Sequence, residues 1–270
     1  MTLDVGLIYG LVAIGIYLTF RTINFADMTC DGSFVFGSSI CAVLVQGGIS
    51  PSIAALAALL GGALAGFCTG ILNIRCKISD LLSGIIVAFM LYSVNLKVMG
   101  NLPNITFVED ISPSTPQLLL LIICIAATFV YLLFTDFGLG LRAVGYNKRF
   151  SEISGINTNA MTLIGLILSN AMIGLGGALF TQYQGFCDVS QGKGTLVAGL
   201  AAVIIGERIC KFRNIPFAIF ACLAGSVMYR VFIMLALHSS FLHIETQDIN
   251  LVAGGIIILM MLVRRERVRC

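Results

Sequence analysis

The chain has 270 residues, 58% hydrophobic and 11% charged, with a mean hydropathy of +1.01 and a formal net charge of +3. That composition leaves too little polar surface to cover a soluble core, and so small a net charge gives no footing for nucleic acid. The apolar runs are long and continuous rather than alternating, which excludes a barrel and selects helices that pair their own backbone groups in hydrocarbon.

The expected fold is all-α, a polytopic transmembrane helical bundle of about nine membrane segments forming one domain over 1–270. The segments are read as 3–20, 30–46, 51–74, 79–100, 116–134, 160–182, 194–206, 214–237 and 248–263. The first has no basic n-region, Asp4 being its only early charge, so it is not read as a cleavable signal peptide. Between the first two spans lies Thr22-Ile23-Asn24-Phe25-Ala26-Asp27, then Asp31-Gly32-Ser33-Phe34. Polar groups at such depth face a bundle interior or a cavity. Asn24 and Asp27 are therefore candidates to line a path, and Asp31 or Ser33 is expected to cap the second helix. In the third span, Gly62 and Gly66 have the small-xxx-small spacing that lets helix backbones approach closely, as do Gly6 and Gly10 in the first.

Residues 101–115, with Pro103, Pro113, Glu109 and Asp110, read as an external loop. Residues 135–159 are polar and read as cytoplasmic; Asn147 is expected to cap a short helix that Gly155 ends. Exposed Phe150, Ile153 and Ile156 there suit either docking to a partner's groove or lying on the membrane. Before the seventh segment, Gln191-Gly192-Lys193-Gly194-Thr195 superficially looks like a phosphate loop. It fails G-x-x-x-x-G-K-[ST], because Cys187 and Gly194 occupy the required glycine and hydroxyl positions. A turn before the next helix is the expectation, and any ATPase must be a separate subunit.

The seventh segment, 194–206, is expected to be short and either broken or re-entrant, with Gly194, Gly199 and Gly206 marking it. Alternating crossings put Arg21, Arg75, Lys77, Arg142, Lys148, Arg149, Arg208, Lys211, Arg213, Arg264, Arg265, Arg267 and Arg269 on one side. That asymmetry holds only if 194–206 crosses. Nine crossings follow, with the N-terminus outside and the C-terminus cytoplasmic.

The nine cysteines show no CxxC spacing and read as packing residues. No HExxH, GxSxG or paired intramembrane carboxylates occur, so no catalytic residues, no metal site and no bound cofactor are expected. Path candidates, besides Asn24 and Asp27, are Asn73, Asn95, Asn170, Gln182 and Gln184; interhelical hydrogen bonding is the alternative for each. Arg230, inside the eighth span, is expected to pack or snorkel outward, a cavity role being the alternative.

Asn24-Phe25-Ala26 resembles the "NFA" element of the branched-chain amino-acid permeases. GLGLRAVGYN, the step from Asn147 to Gly155 and SGIN resemble the coupling segment of the branched-chain amino-acid and ribose-type permease family, and LVAGLAAVIIGE (196–207) is similar to its AAVVLGG segment. The matches keep the family's order over nearly the whole chain, and DGSF resembles a subgroup with proposed amino-acid substrates. Lys148-Arg149-Phe150 departs from the family's Glu-Ala-Ala, and Gly206-Glu207 from its second Gly-Gly.

The resemblance implies the permease subunit of an ATP-binding-cassette importer in a bacterial inner membrane. It implies a second permease copy, identical or paralogous, a cytoplasmic ATPase dimer that carries the ATP, and an external solute-binding protein. It also implies a coupling segment over about 136–159 with Tyr146, Asn147, Lys148, Arg149, Phe150, Glu152, Gly155, Ile156 and Asn157 at the ATPase contact. A stand-alone ion-coupled secondary transporter is the alternative; it calls for acidic groups in helix centres, for which Asp27 and Asp31 are the candidates.

Overall fold

The computed structural model describes residues 2–107, 114–209, 215–238 and 254–255. The helices are α1 (Thr2–Ile16), continued as a π-helix (Tyr17–Ile23), α2 (Cys30–Gln46), α3 (Pro51–Cys76), α4 (Asp80–Val98), α5 (Thr115–Phe134), α6 (Asp136–Tyr146), α7 (Lys148–Ile153), α8 (Thr158–Gln184), α9 (Thr195–Ile209) and α10 (Ile215–His238). Two three-residue strands, β1 (Asn104–Thr106) and β2 (Phe186–Asp188), pair antiparallel with Ile105 opposite Cys187. Among the described residues, seven helical segments are long and apolar enough to cross a membrane, and Cys30–Gln46 is a shorter apolar helix. The ninth expected segment, 248–263, and the charged groups Glu109, Asp110, Lys211, Arg213 and Arg264 to Arg269 lie outside the described residues.

Local chemistry sets the helix ends. Pro51 occupies the first turn of α3, where no N–H is needed. Ser114 and Gln117 form a capping box at the start of α5. Gly185 takes a left-handed φ of 75° just past α8, which lets its N–H close on Thr181.

Helix α8 is the central post. In its apolar stretch 78% of the residues are buried, against 28% for α4 and for α5, which therefore form the periphery. α8 packs on α1, α2 and α3, and glycines set how closely. Gly62 and Gly66 face the backbone at Asn170 and Leu166, Gly37 faces Gly174, and Gly177 faces Phe34. A similar close approach joins α9 to α10, where Gly206 meets Ala221 and Gly225 meets Ala202. The aromatic cluster Tyr9, Phe34 and Phe180 fills the space among α1, α2 and α8.

These contacts also give direction. Gly62 lies by Asn170 and Gly70 by Leu163, so α3 runs antiparallel to α8. Gly37 lies by Gly174, and Cys41 by Gln182, so α2 runs parallel to it. α1 is antiparallel to α10 (Gly6 by Val227, Gly10 by Leu223), and so is α9. α9 therefore runs in the direction of α1 and α3.

The seventh segment is longer than expected. A 3-10 turn over Val189–Gly192 precedes α9, and together they give a span candidate of 21 residues, Val189–Ile209. The break falls at Gly194, which has a φ of 86°. Apolarity alone underestimates this segment because its entry turn is polar and its last turn contains Glu207 and Arg208.

Cys187, in β2, is buried, and burial together with the neighbouring Asp188 charge pushes its thiol up to about 12. Cys76, at the end of α3, is exposed. Peptide mapping after maleimide treatment of the folded protein near pH 7.5 is expected to find Cys76 modified and Cys187 intact, with Cys187 reacting only after denaturation. Equal labelling of both would contradict the packing of the β1–β2 ribbon.

Candidate functional site

After the π-helix the chain turns at Asn24, which has a left-handed φ of 57°, and runs back into the bundle without helical hydrogen bonds until Cys30. Its polar groups need partners there, and they find them on other helices. Asp27 accepts from the Thr29 N–H at 2.8 Å and from Asn170 Nδ2 at 2.7 Å. Ser33 Oγ donates to Asn170 Oδ1 at 2.6 Å, and Asn170 Nδ2 also donates to the Leu166 carbonyl. The Thr29 and Thr69 hydroxyls bond each other at 2.8 Å. All five side chains are buried. The result is a closed polar knot tying the re-entering turn to α2, α3 and α8.

Asp31 does not cap α2, whose cap residue is Thr29. Its carboxylate instead accepts from the N–H groups of Leu196 at 2.8 Å and Gly194 at 3.3 Å. It thus caps α9 from a different helix, where the orphan donors and the positive end of the helix dipole favour an anion. Ser33 has no capping role either, because its hydroxyl is committed to Asn170. At the other end of α9, Glu207 pairs with Arg21 of the π-helix.

Of the seven path candidates, the structure bonds only Asp27 and Asn170 to each other. Asp27 and Asn170 are inside the knot. Asn73 donates to the Ile78 carbonyl and to Asp80, holding the α3–α4 turn. Gln182 donates to the Pro51 carbonyl at 2.9 Å and contacts Cys41 Sγ, holding α8 to α2 and α3. For these four, interhelical and local bonding accounts for the polar group, because each amide or carboxylate is already engaged. Asn24 and Asn95 differ, since each lines a cavity. Asn24 borders one of about 190 Å³ with Asp80, Tyr146, Lys148 and Thr162; Asn95 borders one of about 120 Å³ with Asp31 and Lys193. Gln184 is exposed. Arg230 packs inward, its guanidinium 3.9 Å from the centre of the Tyr9 ring.

The segment 136–159 forms two helices rather than one. α6 lies against the π-helix so closely that a Cβ at Gly145 would strike the Thr22 carbonyl. Asn147 then breaks the helix in extended geometry and caps α7 by accepting from the Phe150 N–H at 3.0 Å. Gly155 ends α7 at a φ of 82°, and Asn157 caps α8 by accepting from the Ala160 N–H. Glu152 accepts from Thr158 across this turn. With these joints in place, Tyr146, Phe150 and Ile153 are left 95, 65 and 79% exposed, although they are apolar or aromatic and α7 itself is tied down. Lys148, Arg149, Glu152, Gly155 and Asn157 are also exposed, and Ile156 is half-buried. The outcome is a projecting apolar face rimmed by charge, at the end of the bundle where α1 ends and α8 begins.

The family model described as "Branched-chain amino acid transport system / permease component" matches residues 1–263. The chain belongs to this family. A tyrosine transport system permease protein of Clostridioides difficile (strain R20291) is 40% identical over 258 residues, covering 93% of this chain and 86% of the relative. The autoinducer 2 import system permease protein LsrC of Escherichia coli (strain K12 / DH10B) is 29% identical over 208 residues, 73% of this chain and 59% of that one. Among solved structures, PsaBC from Streptococcus pneumoniae in complex with Fab superposes with a TM-score of 0.54, covering 96% of this chain and 89% of that chain at 13% identity, which is a likeness of fold. The protein is thus a multi-pass membrane permease of an ABC transporter, as the NFA turn, the coupling segment and the α9 motif anticipate.

Proposed function

We propose that the chain is a single permease domain of an ATP-driven importer of amino acids, coupled through α6 and α7 to ATPase subunits. The observation that carries this is the exposed row Tyr146, Phe150 and Ile153 on helices held by the π-helix and by the start of α8. A partner pushing on that row acts on α1 and α8 together, because Gly145 sits on the Thr22 backbone and the Glu152–Thr158 bond ties the turn to α8. ATP is bound and hydrolysed on the separate cytoplasmic ATPase dimer, and this chain binds no cofactor or metal itself.

A second permease copy completes the channel and an external solute-binding protein delivers the solute. The N-terminus faces outside and the C-terminus the cytoplasm, in keeping with the basic residues Arg75, Lys77, Lys148 and Arg149 at the α6–α7 end. The membrane is the bacterial inner membrane. An amino-acid solute is supported by the family description and by the relative named for tyrosine. Among the polar candidates, Asn24 and Asn95 contact the solute path, and Asp27, Asn73, Asn170 and Gln182 hold its walls.

The test is co-purification in gentle detergent with the triple variant Tyr146→Ser, Phe150→Ser, Ile153→Ser. The expected result is loss of the ATPase and of ATP-driven uptake, with the melting temperature unchanged, since exposed substitutions cost within about 0.5 kcal/mol. A triple variant that keeps both ATPase and uptake, or a lone chain that transports in liposomes without ATP, overturns the proposal.

A further inference from the structure

The cavity at Asn95 collects groups from three separate elements. Asp31 comes from the first turn of α2, Asn95 from the outer part of α4, and Lys193 from the turn that enters α9. Gly32 and Gly192 bring backbone to its wall, and Tyr92, which is 53% exposed, stands at its rim. Asn95 is 1% exposed, yet its Oδ1 has no hydrogen-bond partner, and its Nδ2 makes only a long 3.5 Å contact with the Gly32 carbonyl. A buried amide oxygen without a partner is costly, and this one is free to accept from a bound donor.

The charges around it are of opposite sign and do not pair with each other. Asp31 directs its oxygens to Gly194 and Leu196, while the Lys193 side chain is exposed. A carboxylate offers about four acceptor sites and an ammonium three donors, so both keep capacity for a ligand. The free space of about 120 Å³ is several times the roughly 10–15 Å³ that one water needs, which leaves room for an ammonium, an α-carbon and a carboxylate.

We propose that this cavity is a contact site for the zwitterionic head of an α-amino acid. Asp31 and Asn95 Oδ1 accept from its ammonium, Lys193 binds its carboxylate, and its side chain points out along Tyr92. The inference rests on the reading of the solute as an amino acid. It adds the place and polarity of recognition. Because Asp31 also caps α9, occupancy of the cavity is felt at the start of that helix.

The test uses the complete transporter, with ATPase and binding protein, in proteoliposomes, and L-tyrosine as the probe at saturating loaded binding protein. Lys193→Gln and Asn95→Leu are expected to lower maximal uptake about tenfold, as loss of a charge-assisted or buried hydrogen bond does, while binding-protein-stimulated ATP hydrolysis stays within about twofold. Lys193→Arg is expected to retain uptake. L-tyrosine is also expected to slow maleimide labelling of Lys193→Cys. Should Asn95→Leu not fold, Lys193→Gln and the labelling decide, because Lys193 lies on an exposed turn.

Uptake of L-tyrosine at the wild-type rate in every variant that folds, with labelling indifferent to L-tyrosine, overturns the site and leaves the importer reading standing. An active wild-type ATPase with no uptake of L-tyrosine or of any amino acid in a panel overturns the amino-acid reading and this inference with it.

Discussion

Asn170→Ala is expected to destabilise the permease by about 3 kcal/mol and to abolish transport. The Asn170 side chain joins Asp27 to Ser33, donating to one and accepting from the other. Its removal leaves a buried carboxyl oxygen and a buried hydroxyl without their interhelical partner, and a buried polar group left unsatisfied costs about 1–3 kcal/mol, more for a charged one. Ordinary interhelical hydrogen bonds in membranes average only about 0.6 kcal/mol, so the size of the loss separates the two cases. The measurement is thermal unfolding in detergent of Asn170→Ala, Asp27→Ala and the double variant. The double variant is expected to lose clearly less than the sum of the singles, because after one partner is gone the other has little left to lose. Additive losses, or an Asn170→Ala protein that melts with the wild type, would show that the knot is not a unit.

Gly37→Val is expected to prevent recovery of folded protein altogether. A Cβ at Gly37 would fall on the backbone of Gly174, including its carbonyl oxygen. Overpacking that flexible side chains can absorb costs about 1–3 kcal/mol; here the obstacle is helix backbone, so α2 and α8 would have to separate. That separation would also pull Phe34 from Gly177 and Ser33 from Asn170. Gly140→Ala is the contrast. The nearest atoms to a Cβ there belong to the side chain of Met161, at 3.3 and 3.4 Å, and alanine favours a helix by about 1 kcal/mol over glycine. It is expected to fold and transport as the wild type does. A monodisperse peak in detergent chromatography at wild-type yield for Gly37→Val would refute the backbone contact.

Helix α7 and Asp31 differ in how much their neighbouring residues reveal. Asn147 and Gly155 are local signals, because a side-chain cap and a left-handed glycine act within four residues of their own position. The short helix α7 between them is legible for that reason. Asp31 carries the same kind of local signal, an acidic residue at the start of a helix, and it misleads. Thr29 occupies the cap position, and the carboxylate reaches across 165 residues to Leu196. Nothing in the neighbouring residues distinguishes a cap for its own helix from a cap for another. Asn73, Asn170 and Gln182 were likewise indistinguishable as a type: each is one amide in an apolar run. One holds a turn, one joins a knot and one bridges to Pro51, depending on which surface its helix turns toward.

By itself the sequence determined the membrane class, most of the described apolar helices and the local signals that bound α7. Hydrocarbon thickness, the pairing of helical backbone and local capping act along one dimension and leave a readable pattern. The glycine spacing likewise announced close helix packing without naming the partner helix. Only the tertiary structure decided that α8 is the central post and that Asp27, Ser33 and Asn170 form one closed knot. It alone decided that Glu207 meets Arg21 and that Asn95 is left facing Asp31 and Lys193 across a cavity. Those outcomes depend on the rotation and direction of helices far apart in the chain, and a single polar side chain carries no record of either.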